Sequence, residues 1–175
     1  MFNPRVLAIV AMIAAAVASR LVPHPWNLTS VAAVALFSGA TLNDRRLAFI
    51  VPLAALLLSD MVLGFYKGVA TVYLAFALIV ALGMLLRGRR KPLLITGATL
   101  TGSLLFFALT NLGVWAFGDL YPRTGAGLSA CFVAAIPFFR GTLEGDALYS
   151  LVLFGGFALM ERGVPAMREP EPALA

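Results

Sequence analysis

Residues 69–86 read VATVYLAFALIVALGMLL, eighteen positions without one charge, and Arg87-Gly88-Arg89-Arg90-Lys91-Pro92 closes them abruptly. An uncharged apolar run of this length is the signature of a helix that crosses a bilayer. It shows no apolar–polar alternation, so the half-buried strand of a β-barrel is disfavoured. The basic cluster behind it resembles a cytoplasmic anchor.

Working outward, the same pattern recurs along the chain. Apolar runs cover 6–22, 28–42, 47–66, 93–118 and 143–160, with a briefer one at 126–139. Whole-chain composition agrees: of 175 residues, 61% are hydrophobic and 12% charged. A soluble domain carries about 25% charged residues, so a water-soluble globule and a disordered chain are both excluded. The reading is an all-α, polytopic membrane protein, with a single domain over 1–161 and a cytoplasmic tail over 162–175. The first run is taken as a retained span rather than a cleaved signal, because its basic start is thin.

Fourteen helical residues at 126–139 reach only about 21 Å. They are short of the ~30 Å hydrocarbon core, so this stretch is expected to be interfacial or re-entrant. Six spans then remain. With the N-terminus inside, Arg5, Arg45, Arg46, Arg87, Arg89, Arg90, Lys91, Arg162 and Arg168 face the cytoplasm. Arg20, Lys67, Arg123 and Arg140 face outward. Nine against four satisfies the positive-inside rule, and both termini are expected in the cytoplasm.

Inside the spans, Asp60 is the conspicuous residue. A carboxylate there costs roughly 2.5–3.5 kcal/mol on insertion scales, so it must be paired, protonated or beside a wet cavity. Arg20 and Lys67 are its candidate partners. Asp60 lies about 9 Å below the outer boundary. Asn111 has a similar depth, and Trp115, four residues on, shares its helix face. The three are expected to meet beneath the outer loops, with Ser59, Tyr66, His24, Trp26, Asn27 and Thr29 contributing. Arg140 and Asp146 are further candidates; Asp146 is read as lying in the first turn of the last span, complementing its dipole. Phe138 and Phe139 either cover an apolar ligand or face lipid, and lipid is the expectation. Ala11/Ala15 and Ala14/Ala18 form small-xxx-small pairs on the first span that suit a partner helix. Gly155-Gly156, and Gly97 with Thr101, are given packing roles of the same kind.

Several chemistries lack their parts. There is no HExxH, GxSxG or P-loop pattern, and one histidine and one cysteine, Cys131, support neither a metal cluster nor a disulfide. No catalytic residue, metal or cofactor is assigned, and nucleic acid is not an expected partner.

Several segments together resemble the substrate-binding S components of energy-coupling-factor transporters, and a small bacterial family of transport proteins related to them. They are His24-Pro25-Trp26-Asn27-Leu28-Thr29, Pro52 through Leu58-Ser59-Asp60 to Gly64, Asn111-Leu112-Gly113-Val114-Trp115, Tyr121-Pro122, Ile136-Pro137-Phe138-Phe139 and Gly145-Asp146. The resemblance implies a six-helix bundle that captures a vitamin or similar micronutrient from outside, in a pocket closed by the first, third and fifth loops. It also implies that the alanine pairs of the first helix dock a membrane coupling protein driven by ATPase subunits. The alternative is an assembly or scaffold protein without a pocket; an intramembrane enzyme using Asp60 ranks last.

Overall fold

The computed structural model describes residues 3–21 and 30–168. Among them there is no strand. Helix α1 spans Pro4–Ala18 and runs into a 3-10 turn, Ser19–Leu21; α2 spans Val31–Thr41, α3 Arg45–Leu63 and α4 Val69–Met84. They are followed by α5, Pro92–Phe117, and α6, Gly125–Ser150. A π-helical turn, Leu151–Gly155, joins α6 to α7, Gly156–Gly163.

Four helices are long and apolar enough to cross a membrane: α1 with its 3-10 turn, α3, α5, and the continuous 39-residue path through α6 and α7. In α5 and in α6–α7, only 17% of the apolar stretch is buried within the chain. Leu93, Leu100, Leu104, Leu148, Leu151 and Leu159 are left exposed on the sides. That inside-out distribution is consistent with a membrane protein, because hydrocarbon rather than water then meets those leucines. The two other helices are shorter, 11 residues for α2 and 16 for α4. The uncharged run at 69–86 thus ends two residues early, where Leu85 to Gly88 turn back.

Burial concentrates on α2. Its residues from Ala32 to Thr41 are all buried, under α1, α3, α4, α5 and α6. The sequence permits this because AAVALFSGAT has small side chains that let neighbouring backbones close in. The tightest crossing is with α4. A Cβ on Gly39 would lie 2.1 Å from the Val80 carbonyl oxygen, and one on Gly83 would lie 2.3 Å from that of Leu36. Only glycine fits at either position. These, rather than Gly97, are the packing glycines: a Cβ on Gly97 would meet open space. Gly155 and Gly156 have no contact tighter than ordinary van der Waals distance.

A short helix buried at both ends leaves eight backbone groups to satisfy. Other elements supply them with charge of the correct sign. At the N-terminus of α2, the Asp146 carboxylate accepts from the Ala32 and Ala33 amides, at 3.1 and 3.2 Å. At the C-terminus, Arg87 donates to the carbonyls of Gly39, Leu42 and Asn43, at 3.0, 2.6 and 3.1 Å. An anion at the N-terminus and a cation at the C-terminus both oppose the helix dipole.

Two expectations are corrected here. Residues 126–139 are not a separate interfacial or re-entrant segment; they are the first half of α6, which passes through Arg140-Gly141-Thr142 without a break. Pro137 removes one backbone donor yet stays helical, and Arg140 pairs with Glu144 one turn on, at 2.7 Å, which suits a helix. Asp146 is therefore not in a first turn. It sits deep in α6, 1% exposed, and serves the N-terminus of another helix.

Candidate functional site

One end of the bundle, marked by Arg20, holds a cavity of about 320 Å³. Its walls are the α3–α4 connection, the N-terminal turn of α4, the C-terminal half of α5 and the middle of α6. The connection is compact because Gly68 takes φ 87°, a left-handed conformation that side chains disfavour. Phe107, Thr110, Asn111 and Val114 line it from one face of α5, at the 3–4 residue spacing of a helical stripe. Phe138, Phe139 and Thr142 close the α6 side.

The base of the cavity is electrostatic. Arg20 lines it, and its Nη2 lies 3.1 Å from Asp60 Oδ1 while Nη1 donates to Ser59 Oγ at 2.5 Å. Tyr73 donates its hydroxyl to the other Asp60 oxygen, at 3.1 Å. Asp60 is 2% exposed and the Arg20 side chain 15%. The carboxylate is thus a buried counter-ion, and the guanidinium is what the cavity presents. A buried charge must be paired in this way to be tolerated. Lys67 lines the rim and pairs with Asp119. That ammonium, by hydrogen bond first and charge second, holds the exposed Asp119 carboxyl below its usual range.

The sequence-derived site separates into three groups. Tyr66 and Asn111 line the cavity, and Ser59 and Asp60 support it through Arg20, which the sequence offered only as a partner for Asp60. Trp115, Arg140 and Asp146 do not belong to it. The Trp115 indole donates to the Pro122 carbonyl at 3.0 Å, bracing the α5–α6 connection. Arg140 is an exposed, locally paired residue, and Asp146 is enclosed by α2 and Ser103. His24, Trp26, Asn27 and Thr29 lie outside the described residues.

Asn111 lines the cavity and donates its amide to the carbonyl of Phe107 in its own helix, at 2.8 Å. Phe138 and Phe139 both line the cavity, and Phe138 is at the same time 44% exposed on the helix surface. Phe139 lies against Phe107, ring centroids 4.6 Å apart. Thr71, Thr110 and Phe107 were missed, although the helical spacing around Asn111 carried the signal for the last two. Tyr73 was hidden in an uncharged run, and only its contact with Asp60 reveals it.

Ala11, Ala14, Ala15 and Ala18 all lie on the exposed side of α1, opposite the buried Ile9, Ile13, Ala16 and Val17. Among the described residues there is no group of three or more metal-ligating side chains.

These features define a class: an all-helical chain with membrane-length helices and a solute-sized cavity at one end. Its residues 1–167 match a family of unknown function (DUF6580), and the chain belongs to that family. No curated protein and no solved structure matches it.

Proposed function

We propose that this chain is a membrane-embedded binding protein for a small solute, a vitamin or related micronutrient, taken up from the outer face in the manner of S components. The observation that carries this reading is the cavity floored by Arg20 and walled by an amide, hydroxyls and aromatic rings. Its volume lies at the small end of the range for ligand sites, roughly 300–1,000 Å³. Both cations on its lining are compensated, Arg20 by Asp60 and Lys67 by Asp119. The pocket therefore suits an uncharged solute with oxygen acceptors and an apolar body, because a net charge would enter without a counter-ion.

The orientation follows from charge. Arg5, Arg90, Arg162 and Arg168 gather at the end opposite the cavity, which supports a cytoplasmic assignment for that end. In this reading α1 to α5 and the α6–α7 helix make six crossings of a bacterial inner membrane, with both termini inside. The exposed alanine face of α1 is the docking surface for a coupling protein, itself driven by ATPases. A scaffold without a pocket calls for a filled outer end, and the cavity weighs against it.

Native mass spectrometry of the detergent-purified chain tests the proposal. The wild type is expected to carry a co-purified small molecule that Asn111→Leu and Arg20→Met lose. Empty wild-type protein, or retention by both variants, would overturn it.

A further inference from the structure

A second and larger space lies at the opposite end. Helix α5 packs on α6, but no comparably close packing joins it to the π-turn or α7. The gap is a groove of about 800 Å³ that opens sideways between exposed Leu100 and Leu151. Small residues on the α6–α7 wall, Ala147, Gly155 and Ala158, keep it open. The π-turn forms part of that wall, and such turns recur at functional sites.

The groove's chemistry differs from that of the cavity. Three of its four hydroxyls are spent inward: Thr99 and Ser150 bond each other at 3.0 Å, and Ser103 donates to Asp146 at 2.7 Å, while Thr96 lies exposed on the lining. Hydrocarbon can lie over those three without stranding a polar group. From Pro92 to Ser103 the floor runs roughly 16 Å along α5. That is close to half of the ~30 Å hydrocarbon core, the depth of one leaflet.

At its charged end the groove merges with an arginine-lined recess of about 440 Å³ formed with Arg90, Arg162 and Arg168. Among the described residues Glu161 is the carboxylate there, and it is already engaged by Arg5 at 2.7 Å and Arg90 at 3.0 Å. Arg168 donates to the backbone carbonyls of Glu161 and Arg162, at 3.1 and 3.3 Å, so its charge is not neutralised by those contacts. Arg162 is exposed. With Glu161 engaged by Arg5 and Arg90, Arg162 and Arg168 bring positive charge to the mouth of an apolar, leaflet-deep slot. Arginine is well matched to phosphate oxygens, and basic recesses between membrane helices on the cytoplasmic side suit acidic headgroups.

We infer that this groove binds one acidic phospholipid of the inner leaflet, an acyl chain lying between α5 and α6–α7 and the phosphate at Arg162 and Arg168. The inference rests on the membrane orientation proposed above, but not on the solute cavity.

The test uses delipidated full-length protein in detergent, titrated by native mass spectrometry with phosphatidylglycerol and with phosphatidylcholine of the same acyl chains. One phosphatidylglycerol is expected to bind several-fold more tightly than phosphatidylcholine. Arg162→Gln/Arg168→Gln should weaken it on the order of tenfold, and Ala158→Leu should weaken both lipids by filling the slot. Equal binding of the two lipids would overturn the proposal. So would glycerol 3-phosphate competing as well as the intact lipid, which would make the recess a soluble-phosphate site. Tighter lipid binding by Glu169→Gln/Glu171→Gln, with none in wild type, would make the chain's own acidic tail the occupant and equally overturn it. Asn111→Leu, run alongside, should leave lipid binding unchanged. Its separate effect on the solute distinguishes failure of this site from failure of the cavity.

Discussion

Asp60 and Asp146 are both buried carboxylates, at 2% and 1% exposure, yet they do opposite work. Asp60 on α3 faces a cation and a phenol, and through Arg20 it conditions the cavity at one end of the bundle. Asp146 on α6 faces two backbone amides and a serine hydroxyl, all fixed, and holds the start of the most buried helix. What distinguishes a site carboxylate from a structural one is therefore the partner. A cation that also lines a cavity keeps donors on that side, whereas a helix terminus engages the carboxylate entirely.

The sharpest way to break this comparison is Asp146→Leu. It strands two amides and a hydroxyl in an apolar interior, at about 1–3 kcal/mol each, and removes the cap as well. Against a total stability of about 5–15 kcal/mol, little folded protein is expected. Gel filtration in detergent should show aggregate, with Asp146→Asn recovering a monodisperse peak. Full recovery of stability by the leucine variant would mean that α2 needs no anion.

Next in size is Arg20→Met, which leaves Asp60 buried without its cation and should cost about 3–5 kcal/mol in thermal or denaturant melts. Arg20→Met/Asp60→Leu replaces the whole pair by apolar groups. It is expected to regain most of that stability while solute binding stays lost. A double variant that also regained binding would move Asp60 into the structural class with Asp146.

Asn111→Leu should act on binding alone. Losing one hydrogen bond to solute weakens affinity roughly tenfold, and the melting temperature should not change, since the amide bonds only its own helix. The smallest effect belongs to the Lys67–Asp119 pair at the rim, where both side chains are more than two-thirds exposed. Asp119 has a lowered pKa, so any stability it lends is present above the ordinary carboxylate range. It is lost as pH falls through the lowered value. Lys67→Ala should leave both Tm and its pH profile unchanged, as exposed pairs contribute little.

The sequence made Asp60 legible because a charge in an apolar run is costly wherever the run folds. It misdirected the reading of Asp146 because Arg140-Gly141-Thr142 resembles a boundary. With a boundary there, an aspartate six residues on belongs to a first turn. The helix continues instead, and the same residue lies at the centre of the bundle. Trp115 misled for a related reason: sharing a face with Asn111 put it near the cavity, but the indole found the Pro122 carbonyl first.

By itself the sequence determined that the chain is helical, where most of its helices lie, and that several are of membrane length. Those properties depend on local composition, on apolar runs and the charged clusters that end them. Tertiary structure alone decided which carboxylate caps α2, which cation floors the cavity, and where helices stand apart to leave a groove. Asp146 reaches Ala32 across 114 positions, and Arg20 reaches Asp60 across 40. Pairings at such separations are fixed by how the helices cross, and no local pattern encodes them.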